Sequence, residues 1–578
     1  MKKPKVSLVI PVYKGANYMR EAIDSALAQT YENLEIIVVN DGSKDGGATD
    51  SIARSYGDKI RYFSKENGGV STALNLAIKN MKGEYFTWLS HDDIYLPNKV
   101  ESQVNYLIEN HLVGTKTILY ADYALINENS ILISNQHKSH HLLNEHSELS
   151  LLTGAINGLT LFIPKIAFNE CGLFDEKLRC VQDYQLWFEF LKKGYKFIHQ
   201  DMIFTATRLH QEQTTNVNPL VVSEGEAFWQ EAIKYYEKKS SEKIYGSKYV
   251  YYQAMHYFFR STPYDNLTEM THRIIEKEEK KNEKNNDLIS VVISFNKGIN
   301  YLIRSIKSVL KSDYKNIEII IIDNNSKEKN KELNTIVSKN KNLRFIKRKD
   351  NNLISGINEG IKASKGAYIA FLNNGDEFKK EKLSIQLKKM KTAKTILSHT
   401  SFEYLNNDEK TYINSGLQNG PVQYDVISEN RICFSTVMID AKFIKDKNML
   451  LNEKKENGGY ECFYLQILSN KCALGIDEAL SIIHDESTNY TYTNDYQIKR
   501  CEEILDFVLN DRNLSTKRKN IENLIHYLNG LYELRNITKY NLRFDYTMYI
   551  DRAQNEKSSE KIKPVKKIIN IIKRIFKR

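Results

Sequence analysis

The first apolar run, Lys5 to Val12, holds Val6, Leu8, Val9, Ile10 and Val12 and breaks at Tyr13-Lys14-Gly15. A short apolar run bounded by turn residues predicts a buried strand. Asn17 then caps a predicted helix with Ala22, Ile23, Ala26 and Leu27 on one face. Leu34 to Val39 predicts a second strand, ending in Asn40-Asp41-Gly42-Ser43. A helix, a strand near Ile60 to Ser64, the turn Asn67-Gly68-Gly69 and another helix lead to the aromatic run Tyr85 to Leu89. That run stops at Ser90-His91-Asp92-Asp93, and Pro97 opens a further helix at Asn98. Strands alternating with helices predict an α/β fold around a doubly wound, Rossmann-like, mostly parallel sheet.

The same pattern returns later in the chain. Ser290-Val291-Val292-Ile293 answers Ser7-Leu8-Val9-Ile10, and Tyr314, Asn316 and Glu318 answer Tyr31, Asn33 and Glu35. Asn358 answers Asn75, Gly366 answers Gly83 and Asp376 answers Asp93. From Ser7 to Ser290 and from Asp93 to Asp376 the shift is the same 283 residues, the mark of a tandem duplication. Aromatic, helical stretches near Glu224–Phe259 and Asp495–Tyr549 follow the two copies and read as their helical extensions. The expected organisation is a first unit over 1–270, a polar linker over 271–286, a second unit over 287–550 and a tail over 551–578.

A length of 578 residues with 41% hydrophobic content requires more than one core and excludes a disordered chain. No run approaches a membrane span, and the short apolar run after Lys2 and Lys3 reads as a strand rather than a signal peptide. The six cysteines form no C-x-x-C pair, which argues against a zinc site or a disulfide framework and fits a reducing cytoplasm. Of the net charge of +11, the last eighteen residues carry +8. The remainder is too mildly basic to indicate nucleic acid. In that tail Val565, Ile568, Ile569, Ile572 and Phe576 share one helical face, opposite Lys566, Lys567, Lys573, Arg574 and Lys577. Residues 561–578 therefore predict a basic amphipathic helix on an anionic membrane surface, which places the protein peripherally on the inner face of the plasma membrane.

Carboxylates at the carboxyl end of a buried strand lie where open α/β sheets bind ligands, and Asp92 and Asp93 stand there. Hard oxygen ligands suit Mg²⁺ or Mn²⁺ carrying a diphosphate, although Asp is also a common helix cap. Taken together, Val6 to Tyr13, Asn40 to Ser43, Asn67-Gly68-Gly69 with Asn75, and Leu89 to Asp93 resemble the inverting glycosyltransferases of family 2. The resemblance implies two tandem GT-A domains, a nucleotide-sugar donor, usually a UDP-sugar, and a divalent metal. It places Pro11 and Tyr13 beside the base, Asp41 on the uracil or ribose, and Asn67 and Gly68 in the donor site. Asp92 and Asp93 fall on the metal and diphosphate positions, with Ser90 where the family usually has another Asp. His210 falls on a position that completes the metal shell. Val181 to Trp187 resembles the acceptor-site motif, which makes Asp183 the general base; the alternative is an Asp favoured by a helix N-terminus.

In the second copy Asn324 replaces Asp41 and Gly375 replaces Asp92, leaving Asp376 at the strand end. Tyr460-Glu461-Cys462-Phe463 is its acceptor motif, with Cys462 nearest the position of Asp183 and Glu461 the alternative base. His484 answers His210, so Asp376 and His484 are the candidate metal ligands of this copy. The expected acceptor is a growing, lipid-linked glycan of a surface polysaccharide. Three rivals stand beside this reading: a bifunctional polymerase with both copies active, a second copy that only binds glycan or nucleotide, and sugar-nucleotide synthesis. The last wants a glycine-rich, basic phosphate loop that Pro11 to Gly15 does not supply. A glycosidase is disfavoured because no matched carboxylate pair marks the sequence.

Overall fold

The structure, a computed structural model, describes residues 3–136, 143–210 except 145, 219–282, 285–413 except 407–408, 432–484 except 456 and 469–472, and 494–510. The amphipathic tail at 561–578, and the expected helical extension beyond Asn510, lie outside the described residues. The chain divides into two compact units, Met1–Ser241 with Tyr252–Ile275, and Glu242–Tyr251 with Glu276–Arg578.

In the first unit, strands β1 (Val6–Val12), β2 (Leu34–Asp41), β3 (Arg61–Lys65) and β4 (Tyr85–Trp88) form a parallel sheet in the order β3-β2-β1-β4. The later strands β5 (Ile94–Tyr95), β6 (Thr117–Ile126), β7 (Leu132–Gln136), β8 (Ile163–Pro164) and β9 (Lys196–Arg208) complete the unit. β8 extends the first sheet antiparallel, and β5-β9-β6-β7 makes a second sheet. The helix Met19–Leu27 buries Ala22, Ile23 and Ala26 against β1 and β2, as its periodicity predicts, although Leu27 is exposed.

The second unit repeats the plan. Strands β10 (Ile289–Phe295), β11 (Ile317–Asn324), β12 (Leu343–Arg348) and β13 (Tyr368–Phe371) are parallel in the order β12-β11-β10-β13. Its sheet continues through β14 (Glu377–Phe378), β15 (Leu397–Asn406), β16 (Glu409–Ile413), β17 (Met438–Asp440) and β18 (Leu474–His484). β17 joins β13 to β15 here, whereas in the first unit the equivalent junction is one bridge between Leu119 and Phe162.

Many of the repeated letters are latches rather than chemistry. Ser7 donates to Glu35 at 2.5 Å, and Ser290 to Glu318 at 2.6 Å. Each glutamate also accepts the backbone N–H after the third helix, from Lys82 and Lys365 at 2.6 Å, and pairs with Arg61 or Arg344. These bonds hold both carboxyls below their ordinary value against the opposing pull of burial. A Cβ on Gly83 would stand 2.6 Å from the Ser7 amide, and one on Gly366 equally close to that of Ser290, so only glycine fits. Asn75 ties Phe174 at 2.9 Å as Asn358 ties Leu451. A buried Asn or Glu must be paired, so these residues fix the scaffold twice over.

The segment expected as a linker, 271–286, is helical as far as Lys280. Leu267, Thr271 and Ile275 recur at helical spacing and are buried, which carries the helix Asp265–Lys280 through the polar stretch.

Candidate functional site

The carboxyl edge of the parallel sheet gathers the candidate residues of the first unit. Asp41 ends β2, and Asp92 and Asp93 follow β4; β1 lies between, so the two strand ends are two strand spacings, about 10 Å, apart. The loop after β1 closes the edge: Lys14 donates its N–H to Ser43 Oγ at 2.8 Å, and Gly15 to Thr49 Oγ1 at 3.1 Å. Gly15 faces the His91 ring, where a Cβ would come within 2.7 Å. Tyr13 is exposed, with the Lys14 ammonium 5.5 Å from its ring centre, while Pro11 ends in partial burial.

Asp41 is 3% exposed and organises a turn. Its carboxylate accepts from Lys65 Nζ at 2.5 Å, Gly68 N at 3.0 Å, Gly69 N at 2.7 Å and Asn67 Nδ2 at 3.3 Å. Arg179 reaches across to the Gly68 carbonyl at 2.5 Å, and Glu224 holds the backbone N–H groups of Arg179 and Cys180. The segment that leads into Asp183 is thereby tied to the Asp41 turn.

The adjacent aspartates divide their work. Asp93 points inward, is 4% exposed and accepts the Arg208 backbone N–H at 2.7 Å. Burial, then the neighbouring Asp92 charge, pushes its pKa well above the carboxylate range. Asp92 points outward, with Oδ2 2.8 Å from His210 Nε2. This carboxylate oxygen and imidazole nitrogen fit Mn²⁺ or Mg²⁺, with the remaining coordination positions left to diphosphate oxygens and water. Among the described residues no three His, Cys, Asp or Glu side chains come together as a fuller shell.

Arg208 carries this arrangement. The residue is fully buried; its Nε donates to the Asp92 carbonyl at 2.8 Å, Nη1 to Ser130 Oγ at 2.9 Å and Nη2 to Glu21 at 2.8 Å, and it lies 4.3 Å over the Tyr18 ring. Arg208, Lys65 and Arg179 carry no distinctive sequence signal; Arg208 is marked only by lying two residues before His210.

Asp183 lies in the first turn of the helix Gln182–Lys192, anchored by buried Leu186, Trp187, Phe188 and Phe190. Trp187 packs 5.9 Å from Trp88, the last residue of β4, which brings this helix to the same sheet edge as Asp92. The Asp183 carboxylate accepts the Tyr184 N–H at 2.8 Å, and burial pushes its pKa up to about 6.

The second unit keeps the buried strand-end aspartate and differs at the other positions. The Asn324 amide donates to Ser294 Oγ at 2.8 Å and to the Phe295 carbonyl at 3.1 Å. Asp376, 1% exposed, accepts from Ser435 Oγ at 2.5 Å and His484 N at 3.2 Å, the inward role of Asp93. Gly375, with φ of 102°, stands where Asp92 would reach out. The pairing of His484 with His210 needs correction: Ile482 opposes Glu377 as Ala206 opposes Ile94, so His484 occupies the Arg208 position. The counterpart of His210 falls at residue 486, outside the described residues, and His484 Nε2 meets Glu377 at 2.9 Å. Glu461 is 1% exposed and pairs with Arg500 Nε at 2.6 Å, while Cys462 is buried with its thiol pushed up to about 12 by burial.

The glycosyl transferase family 2 model matches residues 7–166 and 290–445, one copy in each unit. An uncharacterized glycosyltransferase of Rickettsia felis is 42% identical over 528 residues, 89% of this chain and 85% of its own. Hyaluronan synthase of Pasteurella multocida is 28% identical over 55% of this chain and 32% of its own length. Among solved structures, S. aureus TarS 1–349 aligns at 15% identity over 44% of this chain and 75% of its own, with a TM-score of 0.35. With two family matches and a near full-length relative, the chain belongs to glycosyl transferase family 2.

Proposed function

We propose that the first unit is an inverting, metal-assisted transferase that moves a sugar from a nucleotide-sugar, a UDP-sugar, to a hydroxyl of a growing, lipid-linked glycan. The observation that carries this reading is Asp183: a carboxylate with a raised pKa and, among the described residues, no cationic partner, on a helix packed against the strand that delivers Asp92. Asp183 takes the proton of the acceptor O–H as that oxygen attacks the anomeric carbon. The bond from this carbon to the diphosphate oxygen breaks, its electron pair leaves with the nucleotide, and the configuration inverts. Asp92 and His210 would hold a divalent cation, Mn²⁺ or Mg²⁺, whose chemistry there is to offset charge on the leaving diphosphate. The Asp41 turn, with Asn67, Gly68 and Lys65, and the Pro11–Tyr13 loop form the donor side. Similarity to the Pasteurella hyaluronan synthase supports a polysaccharide product. The test is the anomeric proton coupling of the product: a β-linked product from an α-linked donor agrees, and retention contradicts it.

For the second unit, a non-catalytic module that holds glycan or nucleotide is favoured over a second transferase. Glu461 is neutralised by a buried guanidinium, Asp376 is consumed by Ser435, and Gly375 leaves no outward carboxylate. Single-site knockouts decide between them: loss of one of two sugars on inactivating Glu461 would restore the bifunctional polymerase. The charge and apolar pattern of residues 561–578 supports a peripheral position on the inner leaflet; among the described residues no helix is long and apolar enough to cross a membrane. Unchanged partition onto anionic vesicles after deletion of 561–578 would refute that placement.

A further inference from the structure

Both copies latch the segment ahead of the candidate base in the same way, and the first adds a strap that the second replaces. In the first unit Glu224, on the long helix Leu220–Tyr245, accepts the backbone N–H groups of Arg179 and Cys180 at 3.0 and 2.8 Å. In the second, Glu503 on the helix Asn494–Asn510 accepts those of Asn457 and Gly458 at 2.9 and 2.7 Å. Four residues after the first latched N–H stand Asp183 in one copy and Glu461 in the other. A bond made in both copies belongs to the scaffold, but the side chains at the latch part company. Arg179 Nη1 crosses to the Gly68 carbonyl at 2.5 Å, whereas the Asn457 amide turns back to Glu503 at 2.9 Å. Gly69, with φ of 91°, makes room for the crossing: a Cβ there would stand 2.2 Å from Nη1.

The strap ends on a turn that cannot take a ligand unchanged. An ionised carboxylate offers about four lone-pair sites. Those of Asp41 already meet Lys65 Nζ and the Gly68 N–H on one oxygen, and the Gly69 N–H and the Asn67 amide on the other. A nucleobase N–H that reaches this carboxylate therefore displaces one of these donors. All but Lys65 belong to the turn 67–69, and the Gly68 carbonyl of that turn is the point Arg179 holds. When the turn shifts, the guanidinium must follow or give up a charge-assisted bond, roughly twice as strong as a neutral one. In the second unit Asn324 replaces Asp41 and its amide is spent on Ser294 and Phe295, so both ends of the link are changed together.

We propose that Arg179 is a positioning residue of the first unit, carrying occupancy of the Asp41 turn to the start of the Asp183 helix. The base is then aligned by the arrival of the donor rather than held ready without it. This rests on the reading of the Asp41 turn as the donor side, and it is measurable without turnover or a known acceptor.

The experiment is hydrogen–deuterium exchange mass spectrometry of the full chain with and without UDP and Mn²⁺, with UDP affinity measured in parallel. In the wild type UDP slows exchange at least threefold in peptides over 65–72 and over 179–192. In Arg179→Ala the response over 65–72 remains and the one over 179–192 is lost, with UDP affinity within twofold of wild type. Arg179→Met, which keeps an unbranched stem without the donors, gives the same loss. Arg179 is exposed and its backbone bond to Glu224 survives either change, so the unfolding midpoint stays at the wild-type value. A merely structural role would alter exchange without UDP and leave the UDP-dependent difference in place. A response over 179–192 that is absent in the wild type, or undiminished in either variant, overturns the strap and leaves the donor reading standing. A larger loss of UDP affinity makes Arg179 a donor contact and overturns its positioning role. If UDP leaves 65–72 unchanged in the wild type, the donor reading of the Asp41 turn falls, and the strap with it.

Discussion

Replacing Asp183 with asparagine should abolish transfer and yet stabilise the first unit. Burial lifts this carboxyl from its ordinary 3.8 to about 6, so the folded chain holds a proton that the unfolded chain has released between those two values. The sign follows from linkage: stability falls as pH rises from 3.8 to 6, and above 6 the full cost of an ionised, desolvated carboxylate stands. A shift of this size corresponds to about 3 kcal/mol at pH 7. The asparagine side chain is uncharged and keeps the acceptor for the Tyr184 N–H, so the variant escapes that cost. Its unfolding midpoint in urea should rise at pH 8 and converge on wild type near pH 4. In the wild type, kcat/KM should fall about tenfold per unit below pH 6, because only the ionised carboxylate accepts the proton. The variant should lose about 10² to 10⁴ of the rate. A wild-type rate that is flat from pH 5 to 7, or an Asp183→Asn chain less stable than wild type at pH 8, would refute the assignment.

Other substitutions probe the surroundings. Arg208→Lys, measured by urea unfolding, should cost about 3 kcal/mol, because one ammonium cannot serve Asp92 O, Ser130 and Glu21 together. In the second unit, Glu461→Gln should destabilise by about 3 kcal/mol by stranding the Arg500 guanidinium, with transfer by the first unit unchanged in a product assay. Lys382 is fully buried beside Gln386 and pushed down to about 7 by burial. The cost of holding it is full below pH 7 and fades as pH rises toward 10.5, so Lys382→Met should gain most stability at or below neutral pH in thermal melts. A gain that instead grows above pH 9 would contradict this burial argument.

The parallel sheets, the duplication and the strand-end aspartates were legible because apolar periodicity and a constant 283-residue shift are local or self-similar signals. The same signal does not separate scaffold from chemistry. Ser7, Glu35 and Gly83 repeat because a buried glutamate must be paired, and they fix the scaffold of both GT-A units. Which of Asp92 and Asp93 faces outward depends on Arg208, more than a hundred residues later, and no spacing rule carries that partnership. The displacement of His484 by two positions follows from ladder register between β14 and β18, which short motifs do not record. Glu461 reads as a base in sequence; its neutralisation by Arg500 depends on a residue that falls outside any motif. The helix through Lys280 shows that three buried positions at the right spacing outweigh a charged composition.

The central claim is that Asp92 with His210, and Asp183, serve one reaction at one sheet edge. It is tested most directly by the initial rate of nucleotide release from a UDP-sugar panel with Mn²⁺, comparing wild type with Asp92→Ala and Asp183→Asn. The account predicts metal-dependent release by the wild type and at least a hundredfold loss in each variant. A donor released by both variants at the wild-type rate would contradict it.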